Sequence, residues 1–213
     1  MPNEKEWLAK RKKGIGGSDA AAIVGQNPYK NIYQLWEEKT GRVQPEDISN
    51  KECVIFGKNA EEPMREIFKL DYPQFEVEHQ EFVTVSNPEW EFIRGSFDGV
   101  LTDRETDRKG VLEIKTTNIL QSMQKEKWND QVPSNYFCQI LHYFLVRPDF
   151  EFAILKARLK TVWEDEIRAT IRHYRFERKD YEKDLKFLFE REVLFWDCVL
   201  KDEPPKGIIL PNI

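Results

Sequence analysis

The chain has 213 residues, 40% of them hydrophobic and 33% charged, with a formal net charge of −5 at neutral pH. That size and apolar content suit one substantial α/β core, so residues 1–213 are expected to form a single domain. No apolar run of about 18 residues occurs, so no membrane span is expected, and Met1–Glu6 lacks a basic-then-apolar leader for secretion.

In chain order, Glu4 to Lys13 reads as a helix with Trp7 and Leu8 inward, stopped by Gly14. Gly14-Ile15-Gly16-Gly17 is a flexible loop, after which Ser18 and Asp19 are expected to cap an Ala-rich helix running to Val24. Gly25, Asn27 and Pro28 break that helix, and another runs from about Asn31 to Lys39, leaving through Thr40-Gly41. A longer helix is predicted over Lys51 to Leu70, its apolar face supplied by Ile55, Ile67, Phe68 and Leu70, with Pro63 as a kink or interruption. Strands follow at Phe75 to Val85, at Phe92 to Arg94 leading into Phe97 to Thr102, and at Val111 to Thr116 after a wholly polar turn. A helix starting near Pro133-Ser134 carries Gln139 and Tyr143. Strands at Phe150 to Leu159 and Val162 to Tyr174 precede a last helix, Arg178 to Lys201, with Tyr181, Leu185, Leu188, Phe195 and Leu200 at helical intervals.

Cys53, Cys138 and Cys198 lie far apart in otherwise apolar stretches, as expected of free core thiols in a reducing cytoplasm. They are too few and too scattered for an iron–sulfur cluster. The negative net charge does not exclude a nucleic-acid partner, because phosphate binding follows local positive potential. Basic residues concentrate at Lys10-Arg11-Lys12-Lys13, at Lys156, Arg158 and Lys160, and at Arg168, Arg172 and Arg175. Most of these are expected simply to solvate the surface.

The segment with the most chemistry is Gly95-Ser96-Phe97-Asp98-Gly99, read with Val111-Leu112-Glu113-Ile114-Lys115-Thr116 as two strands of a hairpin. Strand side chains two apart share a face, so Glu113 and Lys115 point one way and Ile114 the other. Asp98 and Glu113 supply hard oxygen ligands for a divalent cation, and the backbone carbonyl of Ile114 is a further candidate ligand. Such an ion polarises a phosphodiester and eases deprotonation of water, while Lys115 holds the water and offsets transition-state charge. Glu61 lies four residues before Arg65 and, from local sequence alone, reads as half of a surface ion pair. The Gly14–Asp19 loop reads equally as a helix cap or as a cradle for a phosphate, with Arg11 just before it.

These blocks resemble a known family. Trp7-Leu8-Ala9, Arg11, Gly14 to Gly25, Asn27-Pro28-Tyr29 and Leu35 to Gly41 closely resemble the opening of YqaJ-type viral recombinase nucleases, relatives of the lambda-phage exonuclease. Gly57 with Glu61, Gly95 to Gly99, Leu112 to Thr116, and Gln139 with Tyr143 agree in the same order. The resemblance runs from Trp7 to about Tyr143.

It implies a restriction-endonuclease-like α/β fold, with a central mixed β-sheet flanked by helices, and a Mg²⁺-dependent exonuclease on double-stranded DNA ends. In that family one strand is degraded 5′ to 3′, leaving a 3′ overhang for a single-strand annealing protein used in recombination. Asp98 and Glu113 would be metal ligands with the Ile114 carbonyl, and Lys115 the catalytic lysine. Glu61 would be the helix acid that binds or supports the metal, against its local reading. Gln139 would be the helix glutamine of the active site and Tyr143 its companion. Arg11, Ser18 and Ser96 would form the pocket for the terminal 5′-phosphate. Two Mg²⁺ ions with Mn²⁺ as a substitute, a homotrimeric ring, and a phage or prophage product acting in a bacterial cytoplasm complete the expectation. A structure- or sequence-selective endonuclease of the same fold and a non-catalytic DNA-end-binding module are the competing readings. Trp128, Tyr136 and Trp163 are candidates for base stacking, with core packing the simpler role.

Overall fold

A computed structural model describes residues 4–119, 122–163 and 166–206. Its centre is a five-stranded sheet in the order β1-β4-β5-β6-β7, made of β1 (Phe75–Glu78), β4 (Gly99–Asp103), β5 (Lys109–Ile119), β6 (Phe150–Trp163) and β7 (Glu166–Glu177). Neighbours are antiparallel except β5 and β6, which run parallel and are joined by a crossover containing α5 (Ser122–Glu126) and α6 (Ser134–Val146). A parallel pair requires such a crossover, because a tight turn can only reverse the chain. The expected mixed sheet flanked by helices is therefore present. Two short strands, β2 (Val85–Ser86) and β3 (Arg94–Gly95), pair beside it.

Period-two alternation along β5 divides the molecule into two apolar layers. Val111 faces a core made with α2 (Gly17–Ile23), α6 and α7 (Glu182–Lys201), where Ala20, Ile23, Phe144, Leu188 and Phe195 are buried. Leu112 and Ile114 face the other way, onto Met64 and Phe68 of α4 (Glu52–Asp71) and onto Phe152 and Ile154 of β6. Glu113 and Lys115 share the Val111 side, beneath α6. Each fully buried large apolar chain contributes about 1.5–3 kcal/mol, so both layers hold β5 firmly in register.

Several expectations need correction. The strand predicted over Phe75 to Val85 stops at Glu78, and the chain re-enters as β2. Asp98 lies immediately before β4 rather than on it. Helix α2 starts at Gly17 with Gly16 as its cap residue; Asp19 reaches back to the Gly16 N–H at 2.9 Å, and Ser18 sits exposed in the first turn. Helix α4 runs unbroken through Pro63, and Ile55, Ile67 and Leu70 are exposed while Met64 and Phe68 pack inward. The final segment opens as a 3₁₀ turn, Arg178–Tyr181, before α7, and Leu200 is exposed. The first strand after Val146 extends past Leu159 to Trp163, the second is shifted to Glu166–Glu177, and α5 has no counterpart among the elements expected from sequence. Of the three free thiols only Cys138 is buried; Cys53 is exposed. Trp7 is half-buried on α1 (Glu4–Arg11), whereas the Leu8 side chain lies outside the described residues.

Candidate active site

The site forms where β4 and β5 part. Their pairing begins at Gly99 opposite Leu112, so β5 beyond Leu112 is paired only with β6. There the Asp98 side chain takes the place of a strand neighbour, its Oδ2 accepting the Ile114 N–H at 2.7 Å. The Asp98 carbonyl accepts from Arg65 Nη1, also at 2.7 Å, so α4 fixes the backbone of the same residue. Arg65 is buried, and the expectation of a surface pair with Glu61 missed this role. Spacing in the sequence carries no sign of a contact made 33 residues away.

Glu113 is the most enclosed charge here, with 2% of its surface exposed. Its Oε1 receives the Lys115 ammonium and, at 2.7 Å, the Gln139 amide. The same amide reaches the Tyr143 hydroxyl at 2.6 Å. Burial, then the charge of Asp98, pushes the Glu113 carboxyl up to about 8. The same two causes raise Glu61 to about 7. Burial alone would lower the Lys115 ammonium, but the Glu113 and Asp98 carboxylates outweigh it and hold the lysine protonated. Burial and the neighbouring acids also raise the Tyr143 phenol.

Glu113 Oε2 is buried without a hydrogen-bond partner. Leaving a carboxylate oxygen unpaired costs on the order of 1–3 kcal/mol or more, and an oxygen so placed suits a cation. The donor set is all hard oxygen, which fits Mg²⁺ or Mn²⁺. Among the described residues no three His, Cys, Asp or Glu side chains close into a metal cage. A cation here would accordingly draw part of its shell from water, backbone carbonyl or substrate. Ile114 offers only its backbone, since its side chain is buried in the opposite layer.

The loop before α2 approaches this centre through Gln139 and Tyr143 of α6. A Cβ on Gly17 would lie 2.9 Å from both Gln139 Cγ and Tyr143 Cε1, so only glycine permits the helix to start there. One on Gly14 would lie 2.4 Å from the Phe92 carbonyl, where Ile15 bridges to Ile93 and donates to Phe92 O at 2.6 Å. Lys39 of α3 (Ile32–Lys39) secures the loop by pairing with Asp19 at 2.6 Å and donating to Gly14 O at 2.8 Å. Burial would raise the Asp19 carboxyl, but Lys39 holds it below its usual range.

The loop thus runs beside the segment carrying Ser96. Arg11 lies over the ring of Trp7, 4.6 Å from its centroid, and the Trp7 indole N–H donates to Ser96 Oγ at 2.9 Å. Arg11 and Ser96 are therefore brought together through Trp7, and Ser18 is exposed in the first turn of α2.

Four of the other basic residues are otherwise engaged. Lys156 is fully buried beside Asp71 at 3.6 Å, Arg168 pairs with Glu166, and Arg175 with Glu177. Arg172 donates to the Trp128 carbonyl. Trp128 is buried and packs on Tyr136 and Tyr174, so its role is in the core. Tyr136 stands 5.3 Å from the Lys115 ammonium, and the Trp163 side chain lies outside the described residues.

Comparison with known proteins places this geometry in context. The structure superposes on an alkaline exonuclease (LHK-Exo) from Laribacter hongkongensis with a TM-score of 0.65, 15% identity and 93% of each chain covered. The complex of LHK-Exo with dAMP gives 0.63 at 14% identity, again over 93% of each chain. The shared architecture is restriction-endonuclease-like. The protein YqaJ of Bacillus subtilis (strain 168) is 32% identical over 206 residues, which covers 94% of this chain but 58% of that protein. The chain thus spans little more than half the length of that curated relative. A model of the YqaJ-like viral recombinase domain matches residues 6–147, from α1 through α6. The chain belongs to the YqaJ-like viral recombinase domain family.

Proposed function

We propose that this protein is a divalent-metal-dependent deoxyribonuclease that degrades one strand of a DNA duplex from its 5′ end. The observation that carries the reading is the convergence of Asp98, Glu113, Lys115 and Gln139 where β4 and β5 part, with Glu113 Oε2 left unpaired. Asp98 and Glu113 would hold Mg²⁺, one ion or two, with the Ile114 carbonyl and Glu61 as further ligands and Mn²⁺ as a substitute. Bound there, the metal supplies positive charge that polarises the phosphodiester and eases loss of a proton from water.

The chain's own groups do the rest. Lys115, paired with the Glu113 carboxyl, would supply a charge and a hydrogen-bond donor to the reacting phosphate. Gln139, steadied by Tyr143, fixes the Glu113 carboxylate. Arg65 fixes Asp98 through its carbonyl. Arg11, Ser18 and Ser96 would bind the terminal 5′-phosphate. Ser96 is two residues from Asp98, at most about 7 Å of extended chain, which suits a pocket that holds the end while the adjacent linkage is cut. Such a pocket accounts for 5′-to-3′ polarity.

LHK-Exo is called an alkaline exonuclease and was crystallised with dAMP, a mononucleotide; both descriptions support an exonuclease here. The remaining 3′ strand would serve a single-strand annealing protein in recombination, and a homotrimer is the expected assembly. Residues 1–213 would act as one domain; packing of α7 against α6 and α2 supports this. Among the described residues no helix is long and apolar enough to cross a membrane, and the proposed setting is the cytoplasm of a bacterial host of phage or prophage.

The test is digestion of a linear duplex labelled at one 5′ end, with Mg²⁺, beside a covalently closed circle. Early release of labelled mononucleotide from the linear duplex, with the circle intact, is expected. Cutting of the circle would favour an endonuclease of the same fold, and activity persisting in EDTA would overturn the metal assignment.

A further inference from the structure

We infer that Trp7 is the positioning residue for 5′-phosphate selectivity, orienting both Ser96 and Arg11 from a single side chain. The inference rests on the proposed phosphate pocket and names the residue that would organise it.

A serine hydroxyl has one hydrogen to donate and two lone pairs to accept with. The Trp7 indole can only donate, so its 2.9 Å bond to Ser96 Oγ occupies a lone pair and leaves the serine hydrogen to point elsewhere. Thr84 Oγ1 also stands near that oxygen, at 3.5 Å, the outer limit of a hydrogen bond. Ser96 is thereby set as a donor, the role that an anionic phosphate oxygen requires. The opposite service is done for Arg11. Its guanidinium lies over the Trp7 ring face at 4.6 Å, which restrains a long exposed side chain while leaving its N–H groups uncommitted to the ring.

Trp7 is itself braced. The Phe82 ring meets it edge-on, with centroids 6.0 Å apart and planes at 69°. Phe82 has a φ of 57°, in the left-handed region that bulky residues rarely enter. The bend in the segment between β1 and β2 is what delivers this ring to Trp7. Ser96 is also placed from the far side, since Phe97 beside it packs on Tyr143 and Phe150 with centroids 5.0 and 5.3 Å apart. The indole is therefore gripped between a bent segment and the strand that leads to Asp98.

Trp7→Phe separates the two services, because it keeps a smaller aromatic ring for Arg11 and Phe82 and removes the N–H donor. The experiment measures kcat/KM on duplexes with 5′-phosphate and 5′-hydroxyl ends, and reads the ratio of the two. The parent protein should prefer phosphorylated ends. Trp7→Phe should reduce that ratio about tenfold, as loss of one oriented hydrogen bond to a charged group predicts, chiefly through KM. Ser96→Ala should match it. The double variant should lose no more than either single change, because both delete one interaction. Trp7→Ala should lose more, since Arg11 then loses its platform.

A Trp7→Phe ratio equal to the parent's would overturn the inference. So would equal slowing on both kinds of end, the mark of a packing role, or losses that multiply in the double variant. If Arg11→Ala abolishes the preference while Trp7→Phe spares it, the pocket stands and the inference about Trp7 fails. If the parent shows no preference, pocket and inference fall together.

Discussion

Replacing Gly17 by alanine should damage the proposed catalytic centre, which Gly17 itself does not enter. The new methyl would lie 2.9 Å from Gln139 Cγ and from Tyr143 Cε1, whereas carbon atoms in ordinary contact stay about 3.5 Å or more apart. Something must yield by about 0.6 Å. The Tyr143 ring is buried in the core layer and can move little. Gln139 can move, but its amide is tied to Glu113 at 2.7 Å and to Tyr143 at 2.6 Å. A shift of that size carries the amide beyond good hydrogen-bonding distance, and the Glu113 carboxylate loses its neutral donor. Overpacking of this kind costs about 1–3 kcal/mol, and a lost hydrogen bond to a charged group about 1.5–3 kcal/mol. At about 1.4 kcal/mol per factor of ten, Gly17→Ala should lower kcat at least tenfold and reduce unfolding stability by one to a few kcal/mol. Urea denaturation and single-turnover digestion of a linear duplex measure the two effects. Gly17→Ala with parental stability and parental kcat would refute the proposed contact between the start of α2 and the Gln139–Glu113 pair.

Four other variants test separate parts of the site and its support. Asp98→Asn should abolish cleavage yet keep the Ile114 N–H bonded, whereas Asp98→Ala should abolish cleavage and also cost about 1–3 kcal/mol of stability; equal urea midpoints would contradict that distinction. Arg65→Met should cut activity about ten- to a hundredfold by freeing the Asp98 carbonyl, and full activity would show that α4 does not fix this residue. The buried His142 imidazole lies 2.7 Å from Glu192 and 2.8 Å from the Arg94 carbonyl. Burial would lower His142, but Glu192 and that carbonyl more than compensate and hold it above its ordinary value. The pair therefore stabilises the fold fully below about pH 6.5, and the contribution fades as pH rises through the elevated native value. Urea midpoints across this range should fall in the parent more steeply than in His142→Gln; parallel profiles would refute the linkage.

Most of what local chemistry can announce was legible before the fold was known. Alternation around Ile114 correctly put Glu113 and Lys115 together on one face, whereas the glycine-rich stretch reads as a flexible loop and is instead packed tightly against Phe92, Gln139 and Tyr143. What escaped notice depended on distant partners. Ile55, Ile67 and Leu70 look like a helix's apolar stripe, but the sheet selects the Met64 and Phe68 face instead. Arg65 at four residues from Glu61 suggests an ion pair, and only the packing of α4 near Asp98 reveals its carbonyl contact. Lys156 reads as a surface cation because nothing nearby in sequence shows that α4 will cover it. The same is true of Trp7, which periodicity assigns to packing and geometry assigns to Ser96.

The departure of β4 from β5 at Gly99 has a consequence for how this site can change over time. The carboxylate proposed for catalysis is also the fastener where two ribbons come unzipped, so losing the acid would leave a frayed seam as well as a silent site. Asparagine is the one exit that spares the seam. Lineages that abandon cutting but retain DNA-end capture should therefore pass through asparagine at position 98 far more readily than through alanine or glycine.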